Sequence, residues 1–81
     1  PNESILFNIQ GACFAELGSF EIAIKSYEQA ISINPSYAKA YFNRGLSNII
    51  LEEKDRGCLD LSKAGELGLG KAFDSIKEYC N

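Results

Sequence analysis

The chain contains no histidine, no methionine and no tryptophan. Without histidine it lacks the commonest general base and the commonest metal ligand. Proline occurs only twice, and long hydrophobic runs are missing. The longest near-apolar run, Leu46 to Leu51, is broken by Ser47 and Asn48. It is far short of the ~20 residues that a membrane-spanning helix needs. No basic-then-apolar leader marks a signal peptide. Positive charge is scarce as well. Eight Lys and Arg stand against eleven Asp and Glu, for a net charge of −3. Phosphate binding wants a basic face, so nothing argues for a nucleic-acid module.

The three cysteines, Cys13, Cys58 and Cys80, are odd in number and widely spaced. They form no C-x-x-C pair and no zinc framework. The expectation is that Cys13 and Cys58 are small buried hydrophobes on apolar helix faces, and that Cys80 is exposed near the chain end. A reducing compartment, with cytoplasmic placement favoured, follows from that reading. The acidic residues Glu52, Glu53 and Asp55 cluster in a polar turn without the loop spacing of an oxygen-ligand cation site. Gly65, Gly68 and Gly70 lack the order of a phosphate-binding loop and read as helix terminators. No catalytic residue, cofactor site or metal site is expected.

What is present is helical periodicity, repeated. Sliding the sequence by 34 residues puts Pro1 on Pro35, Gly11 on Gly45, Leu17 on Leu51 and Ala30 on Ala64. Phe7 then falls on Tyr41 and Tyr27 on Leu61. Each period reads as two helices. The first helix starts near Asn2 or Ser4, either of which suits an N-cap, and runs to about Leu17. Gly18 stops it and Ser19 starts the next. Ala23, Tyr27, Ala30 and Ile31 share one face of the second helix. Asn34-Pro35 ends that helix, because a residue before proline is pushed out of the helical region. Ser36 is expected to cap a third helix running to about Leu51. A fourth follows from about Asp55 to Leu67, and a last from Lys71 to about Tyr79. No segment alternates as a strand does. The class expected is all-α, with short turns joining antiparallel neighbours.

The pattern Phe7-x2-Gln10-Gly11-x2-Phe14, then Ala23-x3-Tyr27-x2-Ala30-x4-Pro35, resembles a tetratricopeptide repeat. Small residues at Gly11 and Ala23 allow two helices to approach closely, and Phe14 and Tyr27 fill the space beside them. The second period keeps Tyr41, Gly45 and Ala64. It departs with Asn48 for the second aromatic, Gly57 for the first Ala and Leu69 for Pro. The resemblance implies antiparallel helix-turn-helix hairpins stacked as a short right-handed α-solenoid. One domain over 1–81 would hold repeat one at about 4–37, repeat two at about 38–69 and a capping helix at about 71–80. Pro1 would take the place of the terminal proline of a preceding repeat, so the chain reads as a piece of a longer array.

In such proteins the first helix of each hairpin lines a concave face that binds peptides. Carried over by position, that face would comprise Ile5, Asn8, Ile9, Ala12 and Glu16, then Lys39, Phe42, Asn43, Leu46, Ile49 and Ile50. Phe42, Leu46, Ile49 and Ile50 form one stripe at helical spacing. Its cover is a partner peptide, a second copy of the chain in a homo-oligomer, or the final helix. Some relatives clamp a peptide's terminal carboxylate with Lys and Asn side chains. Asn43 matches one clamp position and Lys77 approximates another, whereas Asn8 and Ala12 stand where Lys and Asn belong. The function implied is a non-catalytic module that binds a protein or peptide partner, or a structural module that self-associates, with no role for nucleic acid or membrane.

Overall fold

A computed structural model describes residues 2–81. The role suggested for Pro1 lies outside the described residues. Five helices follow one another: α1 (Asn2–Glu16), α2 (Phe20–Ile33), α3 (Ala38–Ile50), α4 (Lys54–Glu66) and α5 (Lys71–Tyr79). No strand occurs among the described residues. The packed pairs are α1 with α2, α3 with α4, α2 with α3 and α4 with α5, plus a lighter contact of α1 with α3. The chain is therefore two helical hairpins and a fifth helix, stacked in sequence order as an all-α solenoid.

The three tight turns share one geometry. Gly18 has φ +82°. Its N–H donates to the Ala15 carbonyl at 3.0 Å, while the N–H of Ser19 donates to Phe14 at 2.9 Å. Gly68, with φ +106°, repeats this pair of bonds toward Gly65 and Ala64. Both are Schellman terminations, which need a left-handed residue and favour glycine there. The turn between α3 and α4 is also of this kind, yet its left-handed residue is Glu52 at φ 65°. The α2–α3 link differs. Asn34 is extended, as a residue preceding proline should be.

The expected caps are reassigned by these contacts. Ser4 lies inside α1, and its buried hydroxyl donates to the Ala30 carbonyl at 2.8 Å. Ser19 precedes α2 without a side-chain capping bond. Tyr37 occupies the N-cap of α3, while the Ser36 N–H is held by Asn34 Oδ1 at 3.1 Å.

Each hairpin closes around small residues. In the first, Ala23 and Ala30 are fully buried and Tyr27 is 2% exposed. A Cβ on Gly11 would lie 2.5 Å from the Tyr27 ring, so the missing side chain is the space that the ring fills. Burying a side chain of this kind contributes roughly 1.5–3 kcal/mol. In the second hairpin glycine faces glycine. A Cβ on Gly57 would sit 2.8 Å from the Gly45 carbonyl oxygen, and one on Gly45 would sit 3.0 Å from that of Gly57. The two backbones touch there.

The cysteine reading needs correction. Cys58 of α4 and Cys80 at the C-cap of α5 form a disulfide, and Cys13 is exposed. Helix α5 folds back along α4 and brings together two residues 22 apart in sequence, which no local pattern signals. Cys13 is exposed, whereas its counterpart one period later, Ser47, is 2% exposed. Cysteine count therefore carries no compartment assignment. Among the described residues no helix is long and apolar enough to cross a membrane.

Candidate functional site

Helices α1 and α3 lie side by side, each backed by its own hairpin partner. Helix α1 carries Ile5, Asn8, Ile9 and Ala12 of the residues singled out from the sequence, and α3 carries Lys39, Phe42, Asn43, Leu46, Ile49 and Ile50. Three of the apolar ones are left open: Ile5 is 46%, Ile9 52% and Ile50 55% exposed. Phe42 and Leu46 are half-buried, as are Ala12 and Asn43, and Lys39 is exposed.

A short polar ladder stitches the two helices together. Asn43 Nδ2 donates to Asn8 Oδ1 at 3.0 Å, and Asn8 Nδ2 donates to the Tyr37 hydroxyl at 3.4 Å. Asn8 is 8% exposed, so its amide is committed to holding α1 against α3. Burial of an amide without partners would be costly, and this ladder removes that cost.

Two positions differ from the expected arrangement. Ile49 packs into its own hairpin, its Cγ1 and Cδ1 filling the space that a Gly57 Cβ would take. Lys77 is exposed on α5. The packed side of α5 carries Ala72, Phe73, Ile76 and Cys80, with the Phe73 ring seated on Gly65. The lysine that α5 sends toward the α1–α3 face is Lys71, whose Nζ stands 4.8 Å from the centre of the Phe42 ring. At ~100° per helical residue, Lys71 and Lys77 project ~120° apart. A cation over an aromatic face is attracted by the ring's quadrupole. Phe42 is thereby partly covered from within the chain by one flexible side chain. Next to it, a cavity of about 390 Å³ is lined by Ile5, the α3 start at Tyr37–Lys39, and the α4–α5 turn at Leu67–Leu69.

A second constellation escaped the reading of the sequence. Arg44 and Asp60 form a bidentate pair at 2.9 and 2.8 Å, and Asn48 Nδ2 adds a bond to Asp60 at 3.3 Å. The hydrogen bond to Asp60 raises the Arg44 guanidinium above its usual range, against the lowering effect of burial, and Glu28 adds to the rise. Asp60 is 7% exposed. These residues line a cleft of about 300 Å³ together with Ile24, Glu28, Arg56 and Leu59. The signal was available: Arg44 and Asp60 are charges on helix faces that otherwise carry Gly45, Gly57 and Leu61. Fork-to-carboxylate geometry makes this a strong structural pair. Tyr27 is likewise spent on packing, its phenol pushed above 10.0 by burial and by the nearby Cys13. No group of three or more His, Cys, Asp or Glu among the described residues could hold a metal.

Comparison with known proteins agrees with this architecture. A family model described as TPR repeat matches residues 11–48. Hsp70-Hsp90 organizing protein 3 of Arabidopsis thaliana is 29% identical over 56 residues, covering 69% of this chain and 10% of that protein. Tetratricopeptide repeat protein 36 of Danio rerio is 36% identical over 63 residues, covering 78% of this chain and 34% of that protein. The peroxisomal targeting signal receptor of Kluyveromyces lactis is 33% identical over 49 residues, covering 60% of this chain and 9% of that protein. The chain thus spans between about a tenth and a third of these curated relatives. No solved structure gives a significant match. Repeat frame, hairpin packing and sequence matches converge, and the chain belongs to the tetratricopeptide repeat family.

Proposed function

We propose that the chain is a non-catalytic protein-interaction module that takes a peptide or protein segment along the α1–α3 face. The observation that carries this reading is the open apolar content of that face. Ile5, Ile9 and Ile50 stay about half exposed although both hairpins have closed their own cores elsewhere. Phe42 and Leu46 of α3 serve as anchors in this reading, since a few large apolar side chains supply most binding energy in such contacts. Lys39 and Lys71 stand at the rim as hydrogen-bond donors of positive charge. Asn43 keeps its side-chain oxygen for a ligand N–H, while Asn8 holds the scaffold. The relatives support the class of activity: one is named as an organizer of Hsp70 and Hsp90, another as a receptor for a targeting signal. The incomplete lysine and asparagine clamp argues for recognition led by apolar side chains.

Phe42→Ala tests the assignment. Selection from a phage-displayed library of random dodecapeptides should enrich binders on the wild-type chain. The variant should bind those same peptides at least tenfold more weakly, with its helical circular dichroism unchanged, because Phe42 belongs to neither hairpin core. A library that yields no binder, or a variant that binds as well as wild type, would overturn the reading. If light scattering instead shows a wild-type dimer that Phe42→Ala dissociates, the same face serves self-association.

A further inference from the structure

We propose that Cys58 and Cys80 form a redox modification site, a thiol–disulfide latch that holds α5 on α4 and is opened by a dithiol reductant. Helix α5 has little else to hold it. It is nine residues long, too short to persist as an isolated helix. Ala72 is its one buried residue, and Phe73 and Tyr79 remain 51% and 41% exposed. Its anchoring contacts are buried Ala72 with half-buried Ile76, the Phe73 ring on Gly65, the Lys71 contact with Phe42 and the disulfide. Cys58 and Gly65 are seven residues apart on α4, two turns along one face, so the disulfide and the Phe73 contact grip opposite ends of α5. Both cysteines are half-buried and not enclosed, which leaves the bond within reach of a reductant.

The chemistry balances without other groups. A reductant thiolate attacks one sulfur, the Cys58–Cys80 bond breaks, and the other cysteine leaves as a thiolate that takes a proton. The reductant's second thiol then displaces the mixed disulfide. Two electrons pass from the dithiol to the protein, giving two cysteine thiols and an oxidised reductant. Reduction removes the closure of a 22-residue separation. By the loop-entropy relation this raises the population of the undocked helix roughly three-hundredfold. Undocking bares Gly65 and its surroundings on α4 and withdraws Lys71 from Phe42. The proposal stands independently of any ligand on the α1–α3 face.

Amide hydrogen exchange read by mass spectrometry tests it, in a Cys13→Ser background that prevents disulfide exchange with the exposed third thiol. Adding dithiothreitol should accelerate exchange across residues 72–80 about three-hundredfold, with α1 to α3 unchanged. A Cys58→Ser/Cys80→Ser variant should show the fast exchange with and without reductant. Unchanged α5 protection in the reduced or double-serine chain would overturn the proposal. So would uniform loss of protection in every helix, which marks a staple of the whole fold. Failure of oxidised glutathione to remove two hydrogen masses from the reduced chain would do so as well.

Discussion

The two hairpins share one 34-residue frame and solve the same packing problem with different chemistry. Hairpin one puts Phe14, Ala23 and Ser26 where hairpin two has Asn48, Gly57 and Asp60. In hairpin one an aromatic ring fills the gap left by Gly11. In hairpin two the backbones at Gly45 and Gly57 close the gap themselves. A carboxylate then ties Arg44 and Asn48 across the hairpin. A repeat frame thus constrains where helices meet, and leaves open whether area burial or charge-assisted bonds secure the meeting. Exchanging residues between equivalent positions breaks the comparison in a graded way.

The largest effect belongs to the polar tie. Asp60→Ala leaves a partly buried guanidinium and the Asn48 amide without their acceptor, and should cost about 2–3 kcal/mol in urea unfolding. Ser26→Ala, the counterpart in hairpin one, has no such partner in the structure and should cost less than about 1 kcal/mol. Equal losses would mean that the ion pair does not distinguish the hairpins.

Next comes the glycine contact. Gly57→Ala gives hairpin two the residue that hairpin one carries at Ala23. It should nevertheless destabilise by about 2 kcal/mol, because the methyl group meets the Gly45 carbonyl and the Ile49 side chain. The intrinsic gain of about 1 kcal/mol from replacing a helical glycine is outweighed. A more stable Gly57→Ala protein would show that the helices can move apart freely.

The smallest effect sharpens the comparison at the turns. Glu52 occupies the left-handed position that Gly18 occupies one period earlier. Glu52→Gly should raise stability by about 1 kcal/mol, as the side-chain clash of the left-handed region disappears. Gly18→Ala should lower it by a similar amount, although a Cβ there would meet no other atom. Melting temperatures that move the same way in both variants would refute a purely conformational origin.

Much of the helix plan was legible because its signals are local. Gly18, Gly68 and the Asn34-Pro35 step act on their own few residues, and the helices end within a residue or so of where these signals place them. The Glu52 turn was legible from polarity alone, since nothing marks a glutamate as left-handed. The α1–α3 face was partly legible: helical spacing placed Phe42, Leu46 and Ile50 on one stripe, but assigned Ile49 to it as well. That residue turns inward because Gly57 leaves room for it, a vacancy on another helix.

By itself the sequence determined the all-helical class, the repeat and the small-against-large logic of the first hairpin. These depend on contacts between residues three or four apart, or on a spacing repeated within one chain. Tertiary structure alone decided the partnerships. Asn8 meets Asn43 across 35 residues, Arg44 meets Asp60 across 16, and Cys58 meets Cys80 across 22. Such pairs form where stacked helices happen to align opposing side chains. That alignment depends on helix rotation and on the length of each turn, and a few ångströms in either would assign every one of these residues a different neighbour.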